Sequence, residues 1–331
     1  MKKTILLFAI IFSLFSCSKD DEPTPVPVVP ELTFTKTEKI VTAPIRNISS
    51  FWWAIMDKNG STEELFYIHN HDNTATVTEK GMMEYNLATN TFTDKAKSSN
   101  VVAAGYMSNF TDGNGGFYYI SNEFNFYNKT TNSWTSYAAG SPEFPNSVYA
   151  NHGESKGCTI RSVGKVFYIG GRTACKTVKY FNWTNNTWNF AADYPLTISG
   201  GPAVATDTKD IYALGGYLGS SVSSKKFYKL DVDTNTWITL PEAPVAPMLN
   251  DERNSIIYLK KRIIFLGEDK LLHIFNTETN TWQTNTIDPA IPVNVSGWVD
   301  AHLDTNPNAT TGKFYILYRK ANSTLGIQEY Q

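Results

Sequence analysis

The 331-residue chain reads as an all-β protein, a ring of six four-stranded blades, on three observations. The stretch Asp233-Thr234-Asn235-Thr236-Trp237 recurs in degraded form as Ala88-Thr89-Asn90-Thr91-Phe92, Thr130-Thr131-Asn132-Ser133-Trp134, Asn185-Asn186-Thr187-Trp188 and Glu278-Thr279-Asn280-Thr281-Trp282. The closing aromatics stand at 92, 134, 188, 237 and 282, a repeat of roughly 40–50 residues, the length of one β-propeller blade. A short apolar run of strand type precedes each copy: Leu65-Phe66-Tyr67-Ile68, Phe117-Tyr118-Tyr119-Ile120, Val166-Phe167-Tyr168-Ile169, Ile211-Tyr212-Ala213-Leu214 and Ile263-Ile264-Phe265-Leu266, with a sixth at Phe314-Tyr315-Ile316-Leu317. No 3.6-residue apolar stripe exceeds two turns, and 14% aromatic content suits strands better than helices, so very little helix is expected.

The first residues stand outside this fold. Lys2-Lys3 forms a charged start, and the apolar run from Ile5 to Phe15 is too short for a stable membrane span. It ends in Leu14-Phe15-Ser16-Cys17, which resembles a bacterial lipobox. The resemblance implies cleavage after residue 16, lipid on Cys17 and attachment to the membrane through that lipid; an ordinary secretory signal with an incidental cysteine is the plainer reading. Ser18 lacks the Asp associated with inner-membrane retention, and the acidic run Asp20-Asp21-Glu22 resembles the surface-export tag of Bacteroidota lipoproteins, which implies an outer-membrane protein at the cell surface. Otherwise the run is a solvated linker. Pro23 to Pro30 is proline-rich and extended, a spacer to residue 31.

The body therefore spans 32–331. Its formal charge is close to neutral, −2 for the whole chain, with no basic field for nucleic acid. In the best-preserved unit, 157–190, Gly157 to Val163 is strand-like, Gly164-Lys165 turns, and Val166 to Ile169 is apolar on both faces before Gly170-Gly171. Thr177 to Trp183 is a third strand and Thr187 to Phe190 a fourth. Four antiparallel strands, Gly-Gly after the second, and two aromatics seven positions apart across the last hairpin resemble a kelch repeat. The earlier aromatic is Tyr85, Tyr127, Phe181 or Phe275, with Leu230 in the fourth unit. Gly-Gly survives only at Gly170-Gly171 and Gly215-Gly216. The resemblance implies a six-bladed kelch-like β-propeller, whose blades bury against one another the faces a lone sheet leaves exposed. Asn before the last strand supplies a left-handed turn residue, so the Asn-Xaa-Thr sequons read as turn chemistry.

The last unit stops at Glu329-Tyr330, which aligns with the third-strand pair Glu84-Tyr85 and lacks a fourth strand. Residues 32–37, with Phe34 at the Trp position, are the spare strand expected to close it and remove both sheet edges.

Loops from strand 4 to the next strand 1, and from strand 2 to strand 3, share one face, which the resemblance implies is the partner face. The longest is Ala138 to Lys156, with 70–80, 171–177 and 216–226 beside it. Arg plus aromatic side chains on a rigid face suit sugars or peptides. The candidate ligand contacts are Arg46, Tyr149, His152, Arg172, Tyr217, Arg253, Trp298 and Arg319, with Trp52 as a further surface. Cys158 and Cys175 flank one end of the same sheet, where an exported chain can form a disulfide, although strand 2 lies between the flanking strands. His69 and His71 share a side but no third metal ligand is identifiable. The copper-radical site of kelch-type galactose oxidases, the Asp-box and arginine triad of sialidases, paired glycosidase acids, a nucleophile elbow and a phosphate loop all lack matching motifs. No cofactor or metal is expected.

Three functions fit. The first is a non-catalytic surface protein presenting its loop face to a glycan or protein. The second is a carbohydrate-active enzyme resembling the exported kelch-type sialic acid mutarotases, with Arg172, Arg253 and Asp251 as nearest positional analogues. The third is a structural subunit of a surface complex. Fold alone does not choose among them.

Overall fold

In the computed structural model the described residues are 31–42, 51–60, 65–70, 81–96, 110–120, 122–150, 153–207, 209–219, 222–249, 254–293, 299–321 and 324–331. The leader, Cys17, the linker, and Arg46, His71, His152, Asp251, Arg253 and Trp298 lie outside them, as do the side chains of Trp52 and His69.

Six four-stranded antiparallel sheets follow one another along Thr33–Gln331. Blade I is Phe51–Met56, Leu65–Asn70, Gly81–Asn86 and Thr91–Asp94. Blade II is Thr111–Gly113, Gly116–Ile120, Glu123–Asn128 and Ser133–Ala138. Blade III is Lys156–Ile160, Lys165–Ile169, Val178–Asn182 and Thr187–Phe190. Blade IV is Ala203–Thr206, Asp210–Leu214, Phe227–Asp231 and Thr236–Leu240, with a small hairpin, Tyr217–Leu218 and Val222–Ser223, between its middle strands. Blade V is Ile256–Leu259, Arg262–Leu266, Leu272–Asn276 and Thr281–Trp282. Blade VI is Ala301–Thr305, Phe314–Ala321 and Thr324–Tyr330, completed by Lys36–Thr42 from the other end of the chain. Among the described residues the helices are one short turn, Asn146–Tyr149, and a 3-10 turn, Arg161–Val163.

The closing strand is a correction in range. It runs Lys36–Thr42 rather than 32–37, and Tyr330 pairs with Lys36 instead of Phe34. A shift of two residues keeps every side chain on its expected face. It lets the strand follow Thr324–Tyr330 over its full length, while Phe34 still sets its ring edge against Phe314 at 5.0 Å and Tyr330 at 6.3 Å.

The core lies between blades. Ala54, Met56, Phe66 and Tyr85 of blade I meet Tyr315, Leu317, Leu325 and Ile327 of blade VI, and further clusters join I to II, II to III, III to IV and IV to V. Side chains such as Phe66 and Tyr85 are fully buried, each contributing about 2–3 kcal/mol.

The repeat's outer hairpin explains itself locally. Asn90, Asn132, Asn186, Asn235 and Asn280 all hold positive φ in the left-handed region, which Asn tolerates. Side-chain oxygens of Asn86, Asn128, Asn182, Asp231 and Asn276 accept amides two or three residues on. Gly215 is required by close packing as well as by its positive φ: a Cβ there would collide with the Pro247 ring.

Candidate functional site

The innermost strands of neighbouring blades adjoin one another from I through VI, V, IV and III to II, and the Lys58 amide of blade I donates to Asp112 of blade II at 2.6 Å. They enclose an axial cavity of about 190 Å³. Ile55, Phe110, Cys158, Val204 and Ile256 supply an apolar floor, while Lys58, Arg161, Ser162, Asp207 and Asn308, from the connections that follow the first strands, supply the mouth. The mouth is therefore on the face of the strand 1–2 connections, opposite the face anticipated from loop length.

Two buried aspartates organise it. Asp304 of blade VI accepts the Met56 amide at 2.8 Å and the Thr305 amide at 2.8 Å, and pairs with Lys58 Nζ at 2.8 Å. Burial alone would raise its pKa, but Lys58 and His302 outweigh that and hold it down, to about 2. His302 Nδ1 accepts the Asn254 amide at 3.0 Å, which places the ring proton on Nε2, 3.9 Å from Asp304. Asp112, wholly buried, has Lys129 Nζ at 3.5 Å and Arg161 Nη2 at 3.2 Å. Burial pushes its pKa up, against the pull of these cations. Lys129 also pairs with Asp57 at 2.6 Å.

Backbone bonds fix the mouth further. The Lys58 carbonyl accepts Arg161 Nη1, at 2.5 Å, and Asn308 Nδ2, at 2.6 Å, and Asn306 Nδ2 donates to the carbonyls of Asp57 and Gly60. Strands from blades I, II, III and VI thus converge on one rigid constellation. It offers donors (Lys58, Arg161, Asn308), the Asp207 carboxylate and the Ser162 hydroxyl, above the buried and committed Asp112 and Asp304.

Four of the anticipated contacts are among the described residues. Tyr149 sets its ring edge-on to Phe144, Arg172 stands 3.9 Å from Glu154, Tyr217 donates to the Leu249 carbonyl at 3.0 Å, and Arg319 pairs with Asp300 at 2.9 Å. These four belong to the opposite loop face and none lines the cavity; there Arg172, through Glu154, and Tyr217 approach one another around Gly200. Cys158 and Cys175 are separate thiols, which corrects the disulfide considered between them. Cys158 lies on the inner strand, and burial raises its pKa to about 12, whereas Cys175 pairs its backbone with Ile198. Asp233 is exposed and faces Lys209, so it is scaffold.

Sequence reading missed Lys58, Asp112, Arg161 and Asp304. The available signal was Asp304, an acid at the inner-strand position that the other blades fill with Met56, Thr111, Cys158, Ala205 and Ile257. Among the described residues no three His, Cys, Asp or Glu side chains gather as metal ligands, and no helix is long and apolar enough to cross a membrane.

Residues 199–244, the whole of blade IV with its flanking loops, match the Kelch motif. No curated protein matches the chain. Among solved structures it is similar to a chain in the crystal structure of a nidogen/laminin complex, at 9% identity and a TM-score of 0.51, over 72% of this chain and 80% of that one. That likeness concerns the fold alone. The chain is an all-β propeller of six four-stranded blades that contains a Kelch motif.

Proposed function

We propose that this protein is a non-catalytic binding protein, anchored at the cell surface through lipid on Cys17, that seats a glycan end in its axial cavity. The observation that carries this reading is the cavity mouth, where fixed donors, acceptors and hydroxyls from several blades surround an apolar floor. Such mixed polar pairing above an apolar surface suits a sugar ring, whose hydroxyls both donate and accept and whose C–H face is apolar. Preorganisation by the Lys58, Asn306 and Asn308 bonds spares the site an ordering cost on binding. The acids read as structure. Asp304 is committed to two amides and an ammonium, and Asp112 has no exposed side-chain surface.

The mutarotase-like alternative has less behind it. Arg172 is over half exposed, sits on the other face and does not line the cavity. The test is a glycan array probed with the full-length protein and with Ser162→Trp, an exposed mouth position where a large ring plugs the cavity without touching the core. Glycan binding that Ser162→Trp abolishes supports the reading. Binding only to proteins, or sugar binding indifferent to the plug, refutes it. Lipid on Cys17 is checked by the mass of the mature N-terminal peptide, which carries acyl chains if the anchor is present and starts unmodified if it is not.

A further inference from the structure

The charges at the mouth are mutually answered. Lys58 faces Asp304 at 2.8 Å, Arg161 faces Asp112 at 3.2 Å, and Lys129 behind them faces Asp57 at 2.6 Å. Asp207, also in the lining, adds one more acid. An anionic ligand approaching Lys58 or Arg161 meets cations already neutralised, with Asp112 and Asp304 directly beneath, and like charges in a low-dielectric site repel strongly. An uncharged polyhydroxyl ligand suffers no such repulsion. The Lys58 ammonium and the exposed edge of the Arg161 guanidinium donate to its hydroxyls, and Ser162 and Asn308 complete the pairing.

Size narrows the ligand further. At about 190 Å³ the cavity is smaller than pockets that enclose drug-sized molecules, about 300–1,000 Å³. It has room for one ring entering end-on, over Ile55, Phe110, Val204 and Ile256.

We infer that the axial cavity selects the uncharged terminal residue of a glycan and rejects acidic sugars, with Arg161 and Lys58 as the specificity-determining residues. This rests on the cavity being the ligand seat, as proposed above. It adds a definite discrimination, set by the aspartates that neutralise the two cations.

The test is calorimetric titration of the full-length protein with neutral methyl hexosides and with uronic and sialic acid methyl glycosides, at about 50 and about 500 mM salt, a range over which exposed charge attraction is screened. The expected result is binding of a neutral glycoside with less than about a twofold salt effect, and none of an acidic one. Arg161→Met, at a side chain one-third exposed, should weaken neutral binding by about tenfold or more, the worth of a charged hydrogen bond. A thermal melt controls for folding. Ser162→Trp, whose change stays at the surface, should abolish binding. Asp112→Asn, where it folds, should leave Arg161 unanswered and admit acidic glycosides with a steep salt dependence.

Preference of the wild type for acidic glycosides, lost in high salt and lost in Ser162→Trp, would overturn the selectivity while leaving the seat intact. Sugar binding unchanged in both Arg161→Met and Ser162→Trp would overturn the seat itself. Absence of binding by every glycoside tried overturns both.

Discussion

At Asp304 both carboxylate oxygens are engaged, by the Met56 and Thr305 amides and by Lys58. The bond to Met56 ties blade VI to blade I at the mouth, and Asp112 does the same from blade II through the Lys58 amide. The pKa of Asp304, held to about 2, lies below its unfolded value of about 3.9, so its stabilisation is complete above that value and is lost as pH falls through about 2. Urea unfolding of the wild type between about pH 5 and pH 2 should therefore show falling stability, and Asp304→Asn should flatten that fall. At neutral pH the same substitution should cost about 2–3 kcal/mol, less than for a fully buried pair because Lys58 can turn to solvent. Asp112 has the opposite sign. Its raised pKa favours the folded state below the unfolded value, and that contribution is lost as pH rises through the folded one. Asp112→Asn should thus remove a loss of stability with rising pH, read in the same titration.

At the scale of the element, the outer hairpin does more than turn. The indole N–H groups of Trp134, Trp188, Trp237 and Trp282 donate to the carbonyls of Ala96, Glu143, Ala192 and Pro241, each just beyond the outermost strand of the preceding blade. Asn132 and Asn235 accept the amides of Ala96 and Ala192 from the same stretches. The Asn-Xaa-Trp repeat is therefore an inter-blade clasp. Trp237→Phe, which keeps most of the ring packing and removes the 2.9 Å bond, should lower unfolding free energy by about 1 kcal/mol in urea titration. Asn235→Gly should lose the clasp without backbone strain, while Asn235→Ala adds strain at a positive φ and should be the less stable of the two. This contrast explains what was legible in the residues. Asn90, Asn132, Asn186, Asn235 and Asn280 solve the same local turn, so their spacing reveals five blades directly, and the further apolar run Phe314 to Leu317 adds the sixth. Lys58, Asp112, Arg161 and Asp304 come from four blades, occupy different positions within them and meet only when the ring closes. No repeat unit predicts them. Loop length pointed to Tyr149, Arg172, Tyr217 and Arg319, which stand on the opposite face and do not line the cavity.

Over the whole ring, closure depends on Lys36–Thr42 covering the edge of Thr324–Tyr330. Deletion through Thr42 should expose that edge and yield aggregation on size-exclusion chromatography, whereas deletion through Glu31 should leave a monodisperse protein. Lys36 pairs with Tyr330, and Tyr330 with Phe314, so the chain joins blade VI at its strand 1–2 end, the same face as the cavity mouth. The central claim is that the ligand seats at this mouth and not on the long-loop face. Hydrogen–deuterium exchange with and without a saturating neutral glycoside tests it most directly. Binding at the mouth predicts added protection at 57–60, 161–164 and 306–308, with 138–150 and 171–177 unchanged. Protection confined to 138–150, 171–177 and 216–219 would contradict it.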